Sequence, residues 1–296
     1  MRLGLDKPFA LPPRSLQHSF RPCHCQAPPT NETFSGPARG VGTSRSFIRE
    51  IGVSAIAKTV STSLAMVMLM DTDLDHLTLH EHGAALFRGA VLPHLSDLEA
   101  ILASLPVEQA GVRISGFSAL ETYVAPHGPI GLVARQALGG MGKAVRAILF
   151  DKTESTNWSL AWHQDRTICV QHQADVEDYG PWSIKAGLYH VAPPFDLLAG
   201  MVTLRVHLDD VPSTNAPLLI APGSHKLGRV PADQVKTAAR RCGTIACTAL
   251  AGDIWAYSTP ILHASEAADR PGRRRVLQID FSTQELPEGL AWLGVT

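Results

Sequence analysis

Residues 158–167 read WSLAWHQDRT, and how this stretch is read decides what the rest of the chain must be. An apolar, aromatic run is a strand signal, and alternation along a strand puts residues i and i+2 on one face. His163 and Asp165 then project together, an imidazole beside a carboxylate. Such a pair is half of a metal site or an ordinary surface pair. A third ligand from elsewhere in the chain decides between them.

The neighbouring segments have the same texture. Candidate strands are AVRAILFDK (144–152), NWSLAWHQD (157–165), TICVQHQ (167–173), GMVTLRVHLDD (200–210), APLLIAP (216–222), IACTALA (245–251), GDIWAYS (252–258) and RRVLQIDFS (274–282). They are short, rich in Val, Ile, Leu and Trp, and punctuated by Gly, Pro, Asp and Asn, as a sandwich or jelly roll requires. Upstream, LTLHEHGAALFRGAV (77–91) alternates loosely as an entry strand. Ser96 is placed to cap a helix carrying Leu98, Ile101, Leu102 and Leu105, and GPIGLVARQALGG (128–140) predicts a second helix closed by Gly139 and Gly140. A third begins at Pro231 in VPADQVKTAARR. The fold class is therefore mainly β with flanking helices.

With 296 residues, 45% hydrophobic content and a formal net charge of −1, the chain suits one large globular domain or two smaller ones. Near neutrality gives no electrostatic case for nucleic acid or an anionic membrane surface as partner. The longest apolar run, LAMVMLM (64–70), falls far short of the roughly 18 residues of a spanning helix. The five cysteines, Cys23, Cys25, Cys169, Cys242 and Cys247, show no CxxC pairing, which points to a reducing compartment and a cytoplasmic location. Composition changes near residue 66. Residues 1–66 hold eight Lys or Arg against three Asp or Glu and no Trp, whereas 67–296 carry a net charge of −6. We expect residues 1–66 to be a disordered leader or, because Met66, Met68 and Met70 crowd at the change, sequence ahead of a misassigned start. An Arg- and Ser-rich, acid-poor leader also resembles a transit peptide, and location is then organellar.

The late candidate for a third ligand is His263, after which RPG makes a turn and the chain returns through Arg273, Arg274 and Arg275. Two histidines and one carboxylate form the facial arrangement that holds non-haem Fe(II) with positions open for oxygen and an organic ligand. A carboxylate-bearing co-substrate needs a neighbouring cation, and a guanidinium fits it bidentately. Alternation sets Arg273 and Arg275 on one face and Arg274 on the other, without saying which points inward.

The order His163-Gln164-Asp165, then LDD, then PGSH at Pro222 to His225, then His263-Ala264-Ser265, then Arg274 resembles the phytanoyl-CoA dioxygenase family over roughly residues 71–292. The resemblance implies a cupin-like double-stranded β-helix across 67–296 and an Fe(II)- and 2-oxoglutarate-dependent dioxygenase. Such an enzyme hydroxylates a small organic substrate with O2, releases succinate and CO2, and is assisted by ascorbate. It implies His163, Asp165 and His263 as the catalytic iron ligands. Arg274 and Ser265 hold the distal carboxylate of 2-oxoglutarate, with Gln164 and Lys152 lining the same pocket. Two departures stand out. Asn215-Ala216 replaces the family's frequent Asn-Gly, and an aromatic of the third core strand is replaced, by rough alignment, by Thr203. The intact Asp165 argues against a halogenase. Nothing here requires coenzyme A, and no residue pattern fixes an oligomeric state.

Several competing residues need a place. His207-Leu208-Asp209 repeats the HxD pattern, but it runs into a turn where Asp209 and Asp210 suit loop capping. His80-Glu81-His82 reads as surface. Arg205 shares a strand face with Thr203 and His207; it meets an acidic substrate inside the barrel or forms a structural ion pair. His225 reads as a turn residue, with substrate contact as the alternative. Trp182, Lys185 and His190 fall in a long loop-like stretch, EDYGPWSIKAGLYHVAPPFD (177–196), a place for a lid and substrate selection. The alternative to an enzyme is a non-catalytic metal- or ligand-binding β-helix module.

Overall fold

The computed structural model describes residues 74–106 and 111–296. The expectations for residues 1–66, with Cys23 and Cys25, lie outside the described residues. In chain order the strands are β1 (Ala84–Phe87), β2 (Val112–Ile114), β3 (Lys143–Lys152), β4 (Leu160–His163), β5 (Ile168–Val170), β6 (Trp182–Lys185), β7 (Leu188–Val191), β8 (Met201–His207), β9 (Leu218–Ile220), β10 (Ile245–Cys247), β11 (Ile254–Ser258), β12 (His263–Ser265) and β13 (Arg274–Ser282). The helices are α1 (Leu79–His82), α2 (Leu95–Leu102), α3 (Glu121–Val124), α4 (Pro129–Leu138), α5 (Phe195–Ala199) and α6 (Val235–Cys242).

Two antiparallel sheets make the β-helix. The larger runs β1-β11-β8-β13-β3-β2 and the smaller β10-β9-β12-β4. The chain crosses from β3 to β4, from β8 to β9 and from β11 to β12, so strands distant in sequence meet between the sheets. Alternation on β8 and β13 shows which face is which. Val202, Leu204 and Val206, with Leu277, Ile279 and Phe281, pack with Leu98, Leu120, Ile130 and Val133 of the helical layer. Their partners Thr203, Arg205 and His207, with Arg274, Gln278 and Asp280, are also buried. The apolar faces meet the helices and the polar faces meet the lumen, which reverses the usual apolar interior. Each fully buried Leu, Ile or Phe contributes about 2 kcal/mol, so the helical layer supports a sheet whose other face is costly. Part of the lumen is closed by Leu218, Ile220, Cys247, Trp255 and Tyr257. The outer face of the smaller sheet is covered near α6, where Trp162, Ala221 and Leu262 pack with Val230, Val235 and Ala239.

Several boundaries differ from those expected. Residues 77–91 begin with α1, because Thr78 Oγ1 accepts from Glu81 N at 3.2 Å and Gly83, at φ 77°, ends the turn; only Ala84–Phe87 is strand. Helix α2 starts at Leu95, ahead of Ser96, because Pro93 already carries the chain helically through the turn Leu92–His94. Helix α4 matches its Gly139 cap at φ 68°. Pro231 starts a turn closed by Gln234 N, and α6 follows four residues later. His263 opens β12. The stretch 177–196 is not a loop: β6 and β7 form a hairpin around Ala186 and Gly187, both at positive φ, and β7 pairs with β5 in a third sheet. Among the described residues no helix is long and apolar enough to cross a membrane.

Candidate metal centre

Strands β4 and β12 are neighbours, and His163 lies directly opposite His263 in their register. Their rings are 4.2 Å apart. Asp165 follows two residues after His163, and ligand atoms of the three side chains lie within 4.8 Å of one another. Among the described residues this is the sole His, Cys, Asp and Glu cluster with metal-ligand spacing. Each imidazole is oriented by its own strand: His163 Nδ1 lies 2.8 Å from the Ala161 carbonyl and His263 Nδ1 2.9 Å from that of Ile261. A carbonyl only accepts, so both Nδ1 atoms carry hydrogen, which leaves Nε2 of each ring as the nitrogen available to a metal. Burial, partly offset by Asp165, pushes His263 down to about 4, which keeps it neutral at physiological pH.

The carboxylate has its own support. Arg146 on β3 reaches Asp165 at 3.3 Å through its Nη2 and Asp280 at 2.6 Å through Nε. Burial presses the Asp165 carboxyl upward, but Arg146, His263 and His163 together outweigh it and hold it below the ordinary range. Asp280 is pushed up by burial and by Asp165, against Arg146. Thr203 Oγ1 donates to Asp280 at 3.0 Å. Thr203 thus belongs to the support of Arg146, whose guanidinium the sequence did not single out. An arginine inside the apolar alternation of β3 was the available signal.

The cluster opens on a cavity of about 140 Å³ whose wall includes Arg146, Phe150, His163, Asp165, Arg205, His263, Ser265, Arg274 and Gln278, with Leu160 and Trp158. Between His263 and Ser265 the pairing of β12 with β4 slips by one residue, so Ser265 faces Leu160. That slip brings both Leu160 and His163 to the cavity while Trp162 packs on the opposite face. Arg274 is buried, its Nε is unpartnered, and one Nη donates to the Ala216 carbonyl. Ala216 sits at φ 48°, the left-handed conformation that glycine adopts without strain. Arg275 turns outward to Asp209 and Glu99, and Arg273 to Asp151.

Other expected site residues lie elsewhere. Gln164 is on the face opposite its neighbours, where its amide bonds Gly228, Pro260 and Val230; it fixes loops and is not in the cavity wall. Lys152 directs its ammonium to the Trp158 carbonyl, Ser265 Oγ and the Glu266 carbonyl, and it too is outside the wall. Trp182, Lys185 and His190 belong to the β6–β7 hairpin, where His190 Nδ1 bonds the Leu188 carbonyl, and none lines the cavity. His225 sits in the turn Ser224–Leu227, packed so closely on Gly83 that a Cβ there would lie 2.3 Å from its Nδ1. His207 points into the lumen with both ring nitrogens unpartnered, while Asp209 holds Arg275 and Asp210 accepts from Ala251 N.

Fold and site together define a β-helix protein with a facial two-histidine, one-carboxylate donor set. The family description "Phytanoyl-CoA dioxygenase (PhyH)" matches residues 122–276, and the chain belongs to that family. No curated protein matches the sequence. Among solved structures, EctD from S. alaskensis in its apo form is 17% identical with a TM-score of 0.52, over 73% of this chain and 78% of that one. The non-heme alpha ketoglutarate dependent epimerase SnoN from nogalamycin biosynthesis is 16% identical with a TM-score of 0.52, over 73% and 85%. SnoN in complex with Fe3+, alpha ketoglutarate and nogalamycin RO gives 17% and 0.50, over 73% and 86%. At such identities the likeness is one of fold.

Proposed function

We propose that this protein is an Fe(II)- and 2-oxoglutarate-dependent dioxygenase, its catalytic domain spanning 67–296, that hydroxylates a small organic substrate and releases succinate and CO2. The observation that carries the reading is the pair of histidines fixed in the Nδ1–H form beside an ionised Asp165. Neutral imidazole and carboxylate donors suit Fe(II), and three donors leave positions for a chelating 2-oxo acid and O2. When bound, the iron supplies oxygen activation coupled to decarboxylation of 2-oxoglutarate.

The chain's own residues do the rest. His163, Asp165 and His263 hold the ion, and the Ala161 and Ile261 carbonyls prevent their imidazoles from turning. Arg146 keeps Asp165 charged and aimed. Arg274, with Ser265, takes the distal carboxylate of 2-oxoglutarate. Phe150, Trp158 and Leu160 make that part of the wall apolar.

The test is succinate formation from 2-oxoglutarate by the full chain, under air with Fe(II) and ascorbate, beside Asp165→Ala, with anaerobic binding of both ligands on the same samples. Iron-dependent succinate in the wild type and none in the variant is expected, both proteins melting cooperatively. An Asp165→Ala protein that still forms succinate overturns the proposed ligand set, and a wild type that binds neither Fe(II) nor 2-oxoglutarate overturns the proposal in favour of a non-catalytic module.

A further inference from the structure

The lumen carries more positive charge than one co-substrate arginine accounts for. Lys152, Arg205 and Arg274 are all buried, at 3%, 6% and 3% exposure. Among the described residues, no carboxylate lies within ion-pairing distance of any of the three. Lys152 is nevertheless satisfied. Its three hydrogens have three acceptors, at 2.6, 3.2 and 3.3 Å, and its ammonium sits 4.4 Å over the Trp158 ring.

Arg205 is different. One Nη donates to Gln278 Oε1 at 2.9 Å, and the guanidinium stands over the Phe150 ring at 5.6 Å. Gln278 is its cross-strand partner on β13, and Gln278 Oε1 also meets Tyr257 Oη at 3.4 Å. These contacts fix the plane of the guanidinium but supply no negative charge, and its buried Nε has no partner. An unpaired guanidinium in a lumen is costly, and a site that holds one rigidly is preorganised for an anion.

The size of the cavity says which anion. At about 140 Å³ it is close to the roughly 150 Å³ that accommodates a single benzene, so it has room for one slender diacid beside the metal ligands. Arg205 and Arg274 line that same space. We propose that Arg205 is a second co-substrate-binding cation, gripping 2-oxoglutarate from β8 while Arg274 grips it from β13. It takes the place that the family resemblance assigns to Lys152. This inference rests on the proposed function and adds a residue to it.

The test separates the two. 2-Oxoglutarate is titrated calorimetrically, without oxygen, into the Fe(II)-loaded full chain as wild type, Arg205→Met and Arg205→Lys, and each ligand-free protein is melted. We expect Arg205→Met to weaken 2-oxoglutarate binding roughly 10- to 100-fold, with Arg205→Lys between, because lysine keeps the charge without the planar fork. The ligand-free Arg205→Met protein should melt no lower than the wild type, because an unpaired cation has been removed. A purely structural arginine gives the opposite pair, a lower melting point with unchanged affinity. Wild-type binding matched by Arg205→Met overturns this inference alone. A metal-loaded wild type that binds no 2-oxoglutarate overturns the proposed function and this inference with it. If Arg205→Met does not fold, Arg205 is structural unless Arg205→Lys folds and shows weakened binding.

Discussion

Replacing Arg146 by methionine strands two carboxylates in the lumen, and the structure gives the size of the effect. The Nε contact to Asp280 is 2.6 Å, with the side chains 13% and 4% exposed. Breaking such a buried pair from one side typically costs 3–5 kcal/mol. Two features pull the value to the low end. Asp280 keeps the Thr203 hydroxyl at 3.0 Å, and Asp165 is 22% exposed and held at the longer 3.3 Å. A loss of about 3 kcal/mol follows, and for a domain of 150–250 residues this lowers the melting midpoint by about 6–12 °C. The assay is a thermal melt of the metal-free protein at neutral pH. Adding Asp280→Asn to Arg146→Met removes the worst stranded charge and should restore at least half of the loss. A single variant melting within about 2 °C of wild type, or a double variant less stable than the single, would refute the ion-pair account of this part of the lumen.

Two further outcomes follow from the same geometry. Ala216→Gly should stabilise the protein by up to about 1 kcal/mol, the left-handed cost of alanine less the chain entropy of glycine, read as a higher calorimetric midpoint. Lys152 is pushed down to about 8 by burial, with Arg274 and Arg205 adding to it. Between that value and the unfolded value of 10.5 the unfolded chain binds the extra proton, so stability contributed by this group rises with pH from 8 to 10, by at most about 1.4 kcal/mol per unit. Denaturant unfolding of the metal-free protein should show that rise, and Lys152→Met should flatten it.

Strand content was readable because β8 alternates over 202–207 and β13 over 277–282, and apolar residues on one face of each were bound to meet a layer of helices. The half-site at His163 and Asp165 was equally plain. Alternation alone left the facing of Arg274 open; the packing of Leu277, Ile279 and Phe281 under the helices turns it inward. Lys152 and Gln164 came from the family resemblance, and whether such a polar group faces a cavity depends on which acceptors tertiary structure brings to it; here these include Trp158, Glu266, Gly228 and Pro260. The hairpin in 177–196 was hidden because its turn uses Ala186 at φ 49° where Asn or Asp is the usual signal.

The slipped register of β4 against β12 makes this strand sensitive to length more than to composition. Leu160 and His163 reach the same cavity although they are three residues apart, an odd spacing that regular alternation forbids. The extra residue takes up the difference while Trp162 anchors the outer face. Amino-acid exchanges at 161 or 162 therefore disturb only packing. Loss of a single codon there would rotate His163 away from His263, so over evolutionary time insertions and deletions should be purged from this strand even where its side chains drift.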